Sequence, residues 1–112
     1  MYVALSTILG LILALSGSSK LQRKPMAVAA AEKLKYTNIM IQIGAAELLL
    51  GVLAVTGNYF AFIPDVVARA AVFGMTVIMA GAVMFHAKEK DYKGAIVPLV
   101  LCVLGAIALG AN

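Results

Sequence analysis

Four long apolar stretches, separated by short polar segments, dominate the pattern of this 112-residue chain. They cover residues 2–17, 39–57, 66–85 and 95–110, and the first and last contain no charged residue. Stretches of this length reach about 24–30 Å at a helical rise of 1.5 Å per residue, close to the hydrocarbon thickness of a bilayer. The unbroken runs also lack the alternation of barrel strands. The pattern therefore predicts an all-α integral membrane four-helix bundle with short loops, a single four-span domain over residues 1–112.

Composition supports lipid as the solvent of this chain. Hydrophobic residues make up 63% of the sequence, charged residues only 12%, and the mean hydropathy is +1.02. Small soluble domains expose much of their surface, and about 25% of their residues are charged. A chain with so few charges cannot cover itself with a polar surface.

The positive charges predict the orientation. Eight of the nine Lys and Arg residues follow the first or the third span: Lys20, Arg23, Lys24, Lys33, Lys35, Lys88, Lys90 and Lys93. The positive-inside rule then places both connections in the cytoplasm and both termini on the non-cytoplasmic side of the cell (inner) membrane. This topology explains the net charge of +4 better than a nucleic-acid partner does. We expect Tyr36 at the inner interface and Tyr2 at the outer one.

The connection between the first two spans contains a second kind of segment. Residues 25–36 mix apolar and charged side chains, and Pro25 suits the first turn of a helix. We expect an amphipathic helix at the cytoplasmic surface, or an extension of the second span. Its basic residues suit anionic lipid headgroups, and docking of a partner protein is the alternative.

Glu47 is the most informative polar residue, because it lies near the middle of the second span. A carboxyl group at that depth either stays protonated or finds a partner. Acids within the membrane are functional candidates. The alternative is a packing role, in which Glu47 makes a hydrogen bond across the bundle.

Small residues at helical spacing predict close contacts between the spans. The glycines proposed for helix packing are Gly10, Gly17, Gly44, Gly51, Gly74, Gly81 and Gly105. In the third span, Ala70 and Val77 complete the stripe of Gly74 and Gly81, and the methionines Met75, Met79 and Met84 are expected to fill the core.

Two residues at the cytoplasmic ends of spans are further candidates. His86 ends the third span, either as a solvated helix end or as a proton donor or hydrogen-bond partner of a ligand headgroup. Lys20 ends the first span, where it binds phosphates or bends inward toward an acid. The single Cys102 excludes an internal disulfide, and the sequence shows no metal-ligand cluster and no evident cofactor motif.

Three of these features occur together in a known family. Gly17-Ser18-Ser19-Lys20-Leu21 after the first span, Glu47-Leu48-Leu49-Leu50-Gly51 in the second and His86 closing the third resemble the DoxX-like family over nearly the whole chain. The resemblance implies a four-helix bundle of the inner membrane in which Lys20, Glu47 and His86 line a shared pocket. It also implies a link to quinone-coupled oxidation of sulfur compounds, or a role as a membrane partner of redox or stress proteins.

Two functions remain open from the sequence. The first is a small membrane subunit or accessory protein that holds a lipid-like or quinone-like molecule and assembles with partner subunits or with itself. The second is a membrane oxidoreductase component that passes electrons to quinone, with Glu47 and His86 moving protons. A transporter or channel is the weaker alternative, because Glu47 and Gln42 are nearly alone among the intramembrane polar groups.

Overall fold

The computed structural model describes residues 1–110, and within them the chain forms helices and turns with no strand. The long helices are α1 (Tyr2–Leu21), α3 (Met40–Tyr59) and α4 (Asp65–Lys88). Two shorter helices are α2 (Pro25–Leu34) and α5 (Ile96–Gly110), and a 3₁₀ turn over Thr37–Ile39 leads into α3. The segments Tyr2–Leu21, Thr37–Tyr59 and Asp65–Lys88 are long and apolar enough to cross a membrane. The all-helical prediction is thus confirmed.

The segment between the first two spans is a separate helix and not an extension of α3. Its start is set by Pro25, whose missing N–H costs nothing in a first turn. Its end is set by Lys35, which adopts the left-handed conformation at φ 61° and reverses the chain. Helix α1, by contrast, continues four residues beyond the predicted end at residue 17 and therefore carries Lys20 within its last turn.

Helices α1 and α3 meet backbone to backbone. A Cβ built on Gly10 would lie 2.9 Å from the carbonyl oxygen of Gly51, and one built on Gly44 would lie 3.0 Å from that of Gly17. Four of the glycines proposed for packing therefore lie at this contact. Gly74 and Gly105 lie against side chains instead, those of Leu50 and Thr76 respectively.

The face of α4 differs from the prediction. Gly81 is not a packing residue, since a Cβ there would meet no atom within 4 Å, and Ala70, Val77 and Met84 are exposed. Helix α4 instead buries the side chains of Ala68, Ala71, Val72, Met75 and Met79. Val72, Met75 and Met79 make dispersion contacts in the core, while Ala70 and Val77 lie on the outer face, where lipid accommodates apolar side chains equally well.

Apolar side chains occupy both the inside and the outside of the assembly. Leu9, Leu13, Val72 and Met75 are fully buried in the core cluster. Large apolar side chains are also exposed on every long helix, including Leu15, Leu49 and Phe73. Such a surface would aggregate in water but suits lipid.

The two ends of the assembly differ in charge. We call the end that carries the α1–α3 and α4–α5 connections the basic end, since the eight clustered Lys and Arg residues lie in or beside them. Ion pairs of 3.2 Å between Lys33 and Asp91 and 3.4 Å between Lys35 and Glu89 join the two connections.

At the opposite end, Arg69 contacts Asp65 at 3.0 Å, four residues earlier in the same helix. The Arg69 guanidinium also lies 4.4 Å from the centre of the Tyr2 ring. Tyr2 is buried within the chain, as part of the core cluster and beneath this guanidinium, and its predicted place at the outer membrane interface stays a prediction.

The α1–α3 contact can be tested with a matched pair of alanine substitutions. We expect Gly51→Ala to lower the free energy of unfolding by about 1–3 kcal/mol, because its Cβ would lie 2.5 Å from the Gly10 carbonyl oxygen. Gly81→Ala should be neutral or stabilising, because its Cβ has free space. Unfolding in mixed detergent measures the free energy of unfolding of both variants. An equal decrease in the two would contradict the close contact between α1 and α3.

Candidate functional site

A cleft near the basic end is lined by residues from all five α-helices. It has a volume of about 520 Å³, within the rough range of 300–1,000 Å³ typical of small-molecule sites. Its walls are mostly apolar and come from four helices: Ile12, Leu13, Ile43, Ile78, Met79, Gly81, Ala82, Phe85, Val97, Pro98 and Leu101. Leu34, Tyr36 and Ile39, from α2 and the turn after it, also line the cleft. Its polar residues are Ser16, Lys20, Tyr36, Glu47 and His86.

The polar centre of the cleft is an ion pair between α1 and α3. The Lys20 ammonium contacts Oε1 of Glu47 and also donates to the Ser16 hydroxyl at 3.0 Å. The Ser16 hydroxyl in turn donates to Oε2 of Glu47 at 3.2 Å. The Glu47 side chain is only 2% exposed and that of Lys20 only 13%. Each charge therefore removes much of the desolvation cost of the other.

The close approach of the two helices makes this ion pair possible. Ser16 and Lys20 are four residues apart and share one face of α1. A Cβ on Gly44 would lie 2.7 Å from the Cβ of Lys20, and one on Gly17 would lie 3.1 Å from the Cβ of Glu47. The glycines thus leave room for the stems of the two charged side chains.

The structure answers two questions that the sequence left open, one about Glu47 and one about Lys20. Glu47 has found a partner, and Lys20 bends inward toward an acid. Ser16 belongs to the site but was not among the predicted residues. Its position four residues before Lys20 indicates that the two share one face of α1.

His86 approaches the cleft from the end of α4 and is held by the next turn of the chain. Its Nδ1 lies 2.8 Å from Oδ2 of Asp91, and the Lys33 ammonium lies 3.2 Å from the same oxygen. The hydrogen bond with His86, followed by that from Lys33, holds the pKa of Asp91 below its ordinary value. No pattern in the sequence indicates Asp91 as the partner of His86, since five residues separate the two and no motif links them.

Tyr36 closes the cleft from the side of α2. It is buried within the chain, and its ring lies against that of Phe85 with 5.4 Å between centroids. Burial and, secondarily, the nearby Glu47 carboxylate raise the pKa of Tyr36, so its hydroxyl keeps its proton. The predicted place of Tyr36 at the inner membrane interface stays a prediction, and its contact with Phe85 and its place in the cleft lining are what the fold adds.

Lys20, Glu47 and His86 therefore lie on one cleft, and their functional roles stay predictions. Cys102 is half-buried and lies outside the cleft lining. Within residues 1–110, no group of three or more His, Cys, Asp and Glu side chains has a geometry suited to a metal ion.

The strength of the ion pair can be measured with a double-mutant cycle. We expect Lys20→Met and Glu47→Gln each to lower the free energy of unfolding by about 3 kcal/mol. Each substitution leaves the other member of the ion pair buried without its partner. The double variant should lose no more than either single variant.

The exposed pair of Asp65 and Arg69 provides the control for this cycle. The Asp65 side chain is 78% exposed, and the coupling measured with Asp65→Asn and Arg69→Met should stay below about 1 kcal/mol. Additive losses at Lys20 and Glu47 would contradict the pairing.

One of three comparisons with known proteins identifies a family. A family model described as the DoxX-like family matches residues 4–108, a range that contains every residue of the cleft. Comparison with the curated proteins and with the solved structures gave no match.

Proposed function

The chain belongs to the DoxX-like family, and we propose that it is a small four-helix membrane protein whose cleft binds a lipid-like or quinone-like molecule. We further propose that it serves as an accessory subunit of a larger complex in the cell (inner) membrane. The observation that supports binding is a mostly apolar cleft of about 520 Å³ whose lining also includes the polar side chains of Ser16, Lys20, Tyr36, Glu47 and His86. An amphiphile combines the same two kinds of surface.

In this proposed function, α5 is the fourth helix that crosses the bilayer. Helix α5 covers 15 residues, or about 22 Å, so the bilayer thins locally or flanking residues complete the span. The basic end faces the cytoplasm and both termini face the other side, because the positive charges cluster at that end. Anionic headgroups are then available to the exposed basic residues around α2.

The residues of the cleft suit an apolar molecule with a polar head. The aliphatic side chains accept a hydrocarbon or isoprenoid tail. At the head, the Lys20 ammonium has three donors, of which Ser16 and Glu47 take two. The third donor and the Tyr36 hydroxyl are of the right kind for a carbonyl or ester oxygen. A bound quinone would supply two-electron redox chemistry, and the residues of this chain would hold its head.

The ion pair between Lys20 and Glu47 supports a binding function better than a catalytic one. Both oxygens of the Glu47 carboxylate are already engaged, one by the Lys20 ammonium and the other by the Ser16 hydroxyl. Structural ion pairs of this kind fix the shape of a site. This favours a binding subunit over a self-contained enzyme.

A second candidate function is a component of a membrane oxidoreductase in which Glu47 and His86 move protons to a reduced quinone. It is supported by the position of both titratable side chains on the same cleft. Purification in mild detergent distinguishes the two, because this function requires a redox-active partner subunit that stays with the chain and reduces the bound quinone.

The binding proposal is tested by filling the cleft. Gly81 lines it and has free space for a side chain, so Gly81→Leu should occupy part of its volume without disturbing the backbone. We expect the purified wild-type protein to retain a lipid or quinone detectable by mass spectrometry. The variant should retain at least about tenfold less.

Ala80→Leu is the matched control, because Ala80 is exposed on the same helix and lies outside the cleft lining. It should retain as much ligand as the wild type. Both variants should keep the helical circular dichroism of the wild type. A solitary wild-type protein with no bound lipid or quinone, or equal retention by the two variants, would overturn the proposal.

A further inference from the structure

The turn between α4 and α5 contains a hydrogen-bonded cluster that ligand binding does not by itself require. Both carboxylate oxygens of Asp91 are engaged in it. Oδ2 lies 2.8 Å from His86 Nδ1 and 3.2 Å from the Lys33 ammonium, and Oδ1 accepts the backbone N–H of Gly94 at 3.2 Å. Three segments of the basic end therefore converge on one carboxylate.

Gly94 gives this cluster the room that it needs. A Cβ at this position would lie 2.7 Å from His86 Nδ1 and 2.8 Å from the Asp91 carboxyl carbon. The φ angle of Gly94 is not positive, so backbone strain does not explain the glycine. The space beside the His86–Asp91 contact does explain it.

The chemistry of the cluster decides which ring nitrogen carries the proton. A carboxylate can only accept hydrogen bonds, and Lys33 and the Gly94 N–H both favour the ionised form of Asp91. Nδ1 of His86 must therefore be the donor. In the neutral ring, Nε2 then carries a lone pair and no hydrogen. Because His86 lines the cleft, this second nitrogen is the one left for a ligand.

We propose that Asp91 is a positioning residue that holds His86 as the Nδ1–H tautomer, so that Nε2 accepts a hydrogen bond from the hydroxyl or N–H group of an apolar ligand. The ligand part of this inference rests on the proposed function; the tautomer part does not. In other sites, a carboxylate that accepts a hydrogen bond from one ring nitrogen fixes the tautomer and orientation of a histidine in the same way. It narrows the ligand class to amphiphiles with a hydrogen-bond donor at the head, such as a phenol, a quinol or an alcohol.

The tautomer can be observed directly, because His86 is the only histidine of the chain. The full chain, labelled with ¹⁵N in the imidazole ring and held in detergent micelles, is studied by long-range ¹H–¹⁵N NMR at about pH 9, where an ordinary imidazole is neutral. We expect the wild type to show the hydrogen on Nδ1. Asp91→Asn should increase the Nε2–H form, since an amide can donate to Nδ1.

Glu89→Gln is the matched control for this experiment. Glu89 lies in the same turn, but its carboxylate pairs with Lys35 at 3.4 Å, whereas His86 pairs with Asp91. Its spectrum should equal that of the wild type. A wild-type ring with the hydrogen mainly on Nε2, or a tautomer unchanged by Asp91→Asn, would overturn the positioning role.

The ligand class is tested with two probes that differ only in a donor, 4-decylphenol and its methyl ether. Thermal shifts of the full chain in detergent should show the wild type binding the phenol about tenfold more tightly. Asp91→Asn should reduce this preference, and Glu89→Gln should preserve it. Equal binding of the two probes by a wild type with the Nδ1–H tautomer would overturn the ligand class. If neither probe binds, the inference about the ligand fails together with the proposed function, and the NMR result still decides the role of Asp91.

Discussion

A charge inside an apolar bundle must be paired, and in this protein one pair sets the geometry around it. The Lys20 ammonium and the Glu47 carboxylate face each other between α1 and α3, with Ser16 bridging them. Two helices that share such a contact cannot slide or rotate without separating opposite charges in a medium of low dielectric constant. Gly17 and Gly44 bring the backbones close enough for the pair to form. The register of the α1–α3 contact is therefore fixed by electrostatics as well as by packing.

The cleft follows from the same arrangement. Helices α1 and α3 meet through glycines, whereas α4 contributes longer side chains such as Met75 and Met79 to the interior. The space left near the basic end is lined by apolar side chains, with the ion pair in its wall. Helix α2 and the turn after it cover this space with Tyr36, and the ion pairs of Lys33 and Lys35 join this segment to the α4–α5 turn. The ion pairs that join the connections thus also hold in place the segment that covers the cleft.

The sequence predicts the parts of this structure that depend on hydropathy and on local backbone preferences. The long helices and the start of a helix at Pro25 belong to this group, whereas the sequence left open whether that helix is separate from the second span. The sequence fails where the rotation of a helix matters, as in α4, because in lipid both faces of a helix are apolar and the pattern does not distinguish them. It also does not reveal the pairing of Asp91 with His86 or of Tyr36 with Phe85, which the turns at the basic end bring together. These residues carry no motif, and only the fold reveals their contacts.

The central claim, that Glu47 is held as a carboxylate by Lys20, can be tested by infrared spectroscopy of the protein in lipid bilayers at neutral pH. A protonated carboxyl group absorbs as a carbonyl, whereas a carboxylate does not. We expect no carbonyl band attributable to Glu47 in the wild type, and a new one in Lys20→Met that is lost again when Glu47→Gln is added. A wild-type carbonyl band that disappears in Glu47→Gln would show that Glu47 is neutral and would contradict the ion pair.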